Sequence, residues 1–318
     1  MQESTSERWT HPASILVATD LSDLDRLMPF ALQQAVETGA RLILLHVLAA
    51  GAGIAIDPIG APYYDPSTAL EFAEKTLEPW CKLALEQEVV CGALVREGNA
   101  VQQIAASVRQ FNVDRILLGT RSRSKVSKLL LGSVAEQVLR SVNLPVITVG
   151  PEGHLLVGSS GQQKTVLHAT TLRETSRPSA ALACRIASSQ HARLVLLHVL
   201  PPADEMERKG LATGLDSTAM HALRILAHHT GAEDSNGCGN VEPRVAHGNP
   251  SIEILATAAE MHASLIVLGA AQHSTIQSLT RDHTICRVLA HARCPVLTIR
   301  EPSQLSEASD IEHLASRL

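Results

Sequence analysis

The sequence predicts an α/β protein built from two tandem, doubly wound, five-stranded parallel-sheet domains. Three observations predict it: a repeat at a nearly constant offset, short aliphatic runs alternating with helical patterns in each copy, and cores almost free of aromatic residues.

The repeat comes first because it divides the chain. Arg41–Leu48 (RLILLHVL) returns as Arg193–Leu200 (RLVLLHVL), and Gly98-Asn99 returns as Gly248-Asn249. Ile116–Gly119 returns as Ile266–Gly269, and Leu144–Val149 as Cys294–Ile299. The offset is 152 at the first block and 150 at the other three, which marks a duplicated domain. The Gly- and Ser-rich stretch between the copies reads as a linker. The boundaries are therefore domain one at 1–150, linker at 151–163, domain two at 164–300 and a tail at 301–318. In the tail, Ile311, Leu314 and Leu318 share one helical face.

Within copy one, strands are expected at 14–19, 41–48, 89–95, 114–119 and 145–149, and helices at 23–38, 67–87, 100–111 and 133–142. Strands separated by helices are βαβ units, hence a parallel sheet. Copy two repeats the order, with strands near 165–169, 193–199, 242–246, 264–269 and 295–299.

Composition agrees. A chain of 318 residues is long for one core, and 45% apolar with 19% charged residues supplies two. Aromatics are 2%, so the cores are Val, Leu, Ile and Ala, as suits strands covered on both faces. Residues 1–150 carry 13 Lys/Arg against 16 Asp/Glu and residues 151–318 carry 14 against 16, so neither half has the basic footprint of a nucleic-acid binder. The six cysteines show no CxxC pair and no zinc spacing, and read as thiols in a reducing compartment. The N-terminal MQESTSERWTHPAS has no apolar core, and no run of about 18 apolar residues exists. The expectation is a soluble, cytoplasmic protein.

In an open parallel sheet, ligands bind beyond the carboxyl ends of the strands, where strand order reverses. Copy one has Asp20 after its first strand and Gly119 closing its fourth. Gly119 is followed by a Ser-, Arg- and Lys-rich loop, and Gly132-Ser133-Val134 then opens a helix. Gly119 and Gly132 let backbone approach phosphate, and the helix start offers free N–H groups to an anion. Ser122, Ser124 and Ser133 supply hydroxyls, and Arg121, Arg123, Lys125 and Lys128 supply positive charge. Asp20 would accept from ribose hydroxyls or hold a divalent ion. Each residue also has an ordinary reading: Ser133 with Glu136 forms a capping box, the basic cluster is a solvated loop, and Asp20 belongs to a helix-capping segment ending at Asp23.

On these residues the chain resembles the universal stress protein family in both copies, over nearly its whole length apart from linker and tail. ATP-binding members of that family carry an Asp after the first strand and a pattern of Gly, two residues, Gly, nine residues, Gly, then Ser or Thr. Here that spacing falls on Gly119, Ser122, Gly132 and Ser133, with serine in place of the middle glycine. The resemblance implies a Rossmann-like fold and an ATP site, with or without Mg2+. Its residues would be Asp20 near ribose, Val47 backbone near adenine, and Leu118, Gly119, Arg121, Ser122, Gly132, Ser133 and Val134 around the phosphates. It also implies pairing through the last strand of each copy, Pro145–Val149 and Pro295–Ile299, to give an internal pseudo-dimer, with further homo-oligomers open.

Copy two departs at these positions. Thr171 stands for Asp20, Gln272 for Ser122, Asp282 for Gly132 and His283 for Ser133, and only Gly269 survives. A carboxylate and a Cβ where phosphate should lie oppose binding, so copy two reads as a degenerate site. No GxxxxGK[ST], GxGxxG after a strand or GxSxG is present. Thirteen of the 15 histidines fall in copy two and its flanks; His221 and His228 share a helical face but lack a third ligand, and His46 and His198 read as strand-end polar residues.

The function this implies is a stress-response sensor or signalling module that binds ATP in domain one and meets a protein partner, with neither nucleic acid nor membrane. The alternatives are a scaffold or chaperone-like protein that binds no nucleotide, and a slow ATPase. No residue is an evident general base, so no catalytic residue is assigned.

Overall fold

The structure is a computed structural model and describes residues 5–49, 54–56, 62–64, 66–120, 131–153, 163–202, 214–232, 240–271 and 284–301. The chain divides into two compact units, Met1–Leu155 and Leu156–Leu318.

Unit one runs α1 (Thr5–Thr10), β1 (Ser14–Thr19), α2 (Leu24–Thr38), β2 (Arg41–Leu48), a small antiparallel hairpin of β3 (Ile54–Ile56) and β4 (Pro62–Tyr64), α3 (Pro66–Glu86), β5 (Cys91–Glu97), α4 (Ala100–Phe111), β6 (Arg115–Gly119), α5 (Ser133–Ser141) and β7 (Val146–Val149). Its sheet is parallel with order β7-β6-β1-β2-β5. Unit two runs β8 (Thr165–Ala169), a 3-10 turn at Glu174–Ser176, α6 (Arg177–Ser189), β9 (Arg193–Leu200), α7 (Leu215–Ala232), β10 (Val241–His247), α8 (Pro250–Glu260), β11 (Leu265–Ala271), α9 (Thr284–His291) and β12 (Val296–Glu301). Its order, β12-β11-β8-β9-β10, is the same topology.

The aliphatic runs are strands because both faces of each sheet are covered. Leu16, Ile43, Leu45, Ile116, Leu118 and Val146 pack with Ile104 of α4 and Ala135 and Val138 of α5 into one buried cluster. The opposite face buries Val17, Leu44 and Leu117, together with Leu27 and Met28 of α2.

The Gly-Asn repeat has a local cause. Gly98 and Gly248 hold φ of 118° and 141°, in the region that favours glycine, and donate their N–H to Leu48 and Leu200 O. The next residue caps a helix: Asn99 Oδ1 accepts from Gln102 N at 3.1 Å, and Asn249 Oδ1 from Ser251 N at 3.1 Å. The turn after the first strand is equally shared. Thr19 Oγ1 accepts from Leu21 N and Thr170 Oγ1 from Leu172 N, with both leucines at positive φ.

Candidate functional site

In unit one, β2 and β5 lie on one side of β1 and β6 and β7 on the other, so strand order reverses between β1 and β6. Ala18 of β1 stands level with Leu118 of β6, which brings Thr19-Asp20 and Gly119-Thr120 out side by side at the carboxyl ends. The helix α5 joins them through the Gly132 N–H, which donates to Thr120 O at 2.7 Å. Asp20, Gly119 and Gly132 therefore converge at the switch point of the sheet.

Asp20 is partly engaged. Its Oδ1 accepts from Ser22 N at 2.9 Å and Ser22 Oγ at 2.6 Å, an Asx turn that fixes the side chain. Its Oδ2 is buried and has no hydrogen-bond partner among the described residues, and the Thr120 hydroxyl is in the same position. Buried polar atoms are rarely left unsatisfied, and two orphans at one strand-end crevice are the kind of exception that a bound ligand explains. The helix-capping role suggested for this segment falls to Asp23 by position alone, without a side-chain cap bond.

Asp23 is the residue that the motif did not single out. It is buried, takes a hydrogen bond from Thr19 Oγ1 at 2.5 Å, and turns its carboxylate onto Gly119. A Cβ at Gly119 would stand 2.3 Å from Asp23 Oδ2, so the glycine makes room for this carboxylate as well as for any ligand. Burial pushes the Asp23 carboxyl up to about 6; the Thr19 hydrogen bond opposes that, and the negative charge of Asp20 adds to it.

The capping box expected at Ser133 and Glu136 does not form. Gly132 is the N-cap residue, with no side-chain cap bond, and Glu136 pairs with Arg140 at 2.5 Å along the helix. Gly132 has φ −61° and ψ 140°, extended backbone open to any residue, so no conformational demand accounts for a glycine there. What the glycine leaves is an uncapped helix start, with Ser133 and Val134 exposed on its first turn. Leu118 is buried in the core and Val47 half-buried against it, so each can offer only backbone to a ligand. His46 beside Val47 hydrogen-bonds Thr19 O through Nδ1 at 2.9 Å, a strand-end polar role that His198 repeats on Thr170 O at 2.8 Å. Arg121 and Ser122, with the rest of the basic loop, lie outside the described residues.

Unit two has the same crevice with different contents. Thr171, at the place of Asp20, shares a hydrogen bond with Ser176 Oγ at 3.0 Å. The surviving Gly269 faces a carboxylate again, but from another element. Glu301, the last residue of β12, lies buried over Gly269, where a Cβ would come 1.7 Å from its Oε1. Ser179 Oγ donates to Glu301 Oε1, and Ser176 Oγ donates to Oε2 at 3.5 Å. Burial raises the Glu301 carboxyl, against the pull of the two serine bonds. Gln272, Asp282 and His283 are outside the described residues. His247 pairs with Asp216 through Nε2 at 2.8 Å. Among the described residues no group of three His, Cys, Asp or Glu side chains could hold a metal ion, and no helix is long and apolar enough to cross a membrane.

The sequence model of the universal stress protein family matches residues 13–150 and again residues 163–300, most of the chain. The chain belongs to the universal stress protein family. A universal stress protein of Methanocaldococcus jannaschii is 26% identical over 136 residues, 42% of this chain and 80% of that protein. Among solved structures, a universal stress protein from Archaeoglobus fulgidus aligns over 91% of this chain and 98% of its own, at 22% identity and a TM-score of 0.69. A protein of unknown function from Pseudomonas aeruginosa aligns over 98% of this chain and 100% of its own, at 18% identity and a TM-score of 0.62. At these identities the two structures establish the fold, which is that of tandem universal stress protein domains.

Proposed function

We propose that this universal stress protein is a stress-response module that binds one ATP per chain, in unit one. The observation that carries the reading is the pair of orphaned buried atoms, Asp20 Oδ2 and Thr120 Oγ1, beside the uncapped start of α5. A nucleotide meets those needs together: a ribose hydroxyl donates to Asp20 Oδ2, and phosphate oxygens accept from Thr120 Oγ1 and the first N–H groups of α5. Val47 backbone meets adenine, and Leu118, Gly119, Arg121, Ser122, Gly132, Ser133 and Val134 surround the phosphates.

Asp23 sets a charge condition on this site. A phosphate near Gly119 faces a buried carboxylate, so ATP enters with Mg2+ to neutralise it or with Asp23 protonated. Asp20 and Asp23 are the oxygen ligands that this chain offers to Mg2+. Unit two serves a structural or partner-contact role, because its Thr171 is occupied by Ser176 and Gly269 of β11 is covered by Glu301.

Calorimetric titration of the full chain with MgATP tests the reading. One binding event that weakens in Asp20→Ala and is unaltered in Thr171→Ala is expected. No binding at millimolar ATP, or an affinity indifferent to Asp20, would favour the scaffold reading instead.

A further inference from the structure

Two cysteines that no sequence motif links meet in unit one. Cys81 is on the penultimate turn of α3 and Cys91 is the first residue of β5, and their sulfurs stand 3.1 Å apart. The connection between them forces the meeting. Gln87 N and Val89 N bond back to Ala84 O, Glu88 takes a left-handed φ of 61°, and Val90 O accepts from Leu42 N as the chain enters the sheet. The helix end thus folds directly onto the start of the strand that follows it. Both thiols are free and half-buried, within reach of a small oxidant.

We propose that Cys81 and Cys91 are a redox pair, oxidised by a hydroperoxide to a reversible disulfide that ties helix α3 to edge strand β5. A covalent S–S bond is about 2.05 Å, so the sulfurs need approach by only about 1 Å from where the fold holds them. The two thiols are unequal. The sulfurs share a hydrogen bond in which either thiol can donate; when Cys91 donates, the Cys81 thiol falls below its ordinary range and that of Cys91 rises. With Cys91 as the donor, Cys81 is the attacking thiolate and Cys91 the resolving thiol.

The chemistry balances with hydrogen peroxide as oxidant. Cys81 sulfur attacks one peroxide oxygen, the O–O bond breaks, and the departing oxygen leaves as water, giving a sulfenic acid. Cys91 sulfur then attacks Cys81 sulfur, the S–S bond forms, the S–O bond breaks, and a second water leaves with the Cys91 proton. Two thiols lose two electrons in all, and one peroxide becomes two waters. A dithiol reverses the step by exchange. Of the other described cysteines, Cys184 and Cys294 are buried, burial pushes the Cys294 thiol up to about 12, and Cys286 is half-buried on α9.

The pair is remote from the nucleotide crevice. Cys91 stands level with Leu42 at the start of β2, whereas Asp20 lies beyond the carboxyl end of β1. The proposal is therefore independent of ATP binding.

The test uses the full chain, reduced and then exposed to one equivalent of hydrogen peroxide before alkylation. Trypsin cuts after Lys75, Lys82 and Arg96, which places Cys81 and Cys91 on separate peptides, 76–82 and 83–96. The expected result is these two peptides joined in non-reducing mass spectrometry, separated by dithiothreitol, with the melting temperature of the oxidised protein raised by roughly 3–8 °C. In Cys91→Ser the Cys81 sulfenic acid persists and is labelled by dimedone, and in Cys81→Ser residue 91 stays unlabelled. The proposal is overturned if peptides 76–82 and 83–96 stay separate with both thiols alkylatable while other cysteines oxidise, or if dimedone labels Cys91 in preference to Cys81.

Discussion

The two strand-end crevices share a backbone and differ in what fills them. In both units a threonine hydroxyl caps the turn after the first strand, a histidine holds that threonine's carbonyl, and a glycine in the fourth core strand lies beneath a buried carboxylate. In unit one the carboxylate is Asp23, from the start of α2, with one serine or threonine hydroxyl on it, and Asp20 keeps an oxygen free. In unit two it is Glu301, from the end of β12, tied down by Ser176 and Ser179, and Thr171 has a partner. Duplication kept the frame, and the polar groups at the strand ends then diverged: Asp20 Oδ2 and Thr120 Oγ1 lack partners in one crevice, whereas Thr171 and Glu301 find partners in the other.

The largest expected effect separates frame from contents at Gly132. Its extended φ and ψ admit a β-branched residue, so Gly132→Val should keep the fold yet cut ATP affinity more than 100-fold by blocking approach to the α5 amides. Calorimetry beside circular dichroism checks this; native affinity in a folded variant would remove Gly132 from the site.

A second contrast lies in the sheets themselves. His168 of β8 is fully buried where unit one has Val17, and burial presses it down to about 4, with its Nε2 lacking a partner. A histidine depressed on folding stabilises fully above pH 6.5 and loses that contribution as pH falls towards 4. His168→Val should therefore flatten the acid limb of unit two, by up to about 3 kcal/mol at pH 4. Denaturant melts of the two proteins between pH 4 and 8 would reveal it, and parallel curves would count against it.

The next effect is at Asp20. Removing a charged acceptor of a ligand hydroxyl costs about 1–3 kcal/mol, so Asp20→Ala should weaken ATP roughly 5- to 150-fold, and Thr171→Ala should change nothing. The smallest concerns Asp23, whose carboxyl is raised to about 6. A raised carboxyl favours the folded state below its unfolded value of 3.8 and loses that advantage as pH rises through 6. Asp23→Asn should accordingly stabilise unit one by about 1–2 kcal/mol at pH 8 and by nothing below pH 4. A gain that persists in acid would show that charge is not its cause.

Much of this was legible in the residues. The mostly aliphatic run Arg41–Leu48, set between helical patterns, reads as a strand covered on both faces, and β1, β2, α4 and β8 begin and end where the sequence places them. The Gly-Asn pairs were visible as turns because one residue supplies the left-handed φ and the next the cap. The position of Asp20 at the carboxyl end of β1 was legible in the same way. The β3–β4 hairpin was not, since three-residue strands carry no periodicity. The capping box at Ser133 misled because Gly132, one residue earlier, takes the cap position. Asp23 over Gly119, Glu301 over Gly269 and Cys81 beside Cys91 depend on contacts between elements, which local patterns do not encode.

The most direct measurement is the count of nucleotides per chain, by equilibrium dialysis of the full protein with radiolabelled MgATP at saturating concentration. The asymmetry of the two crevices predicts one ATP per chain, lost in the Asp20→Ala, Gly132→Val double variant. Two ATP per chain, or one that survives that double variant, would contradict it.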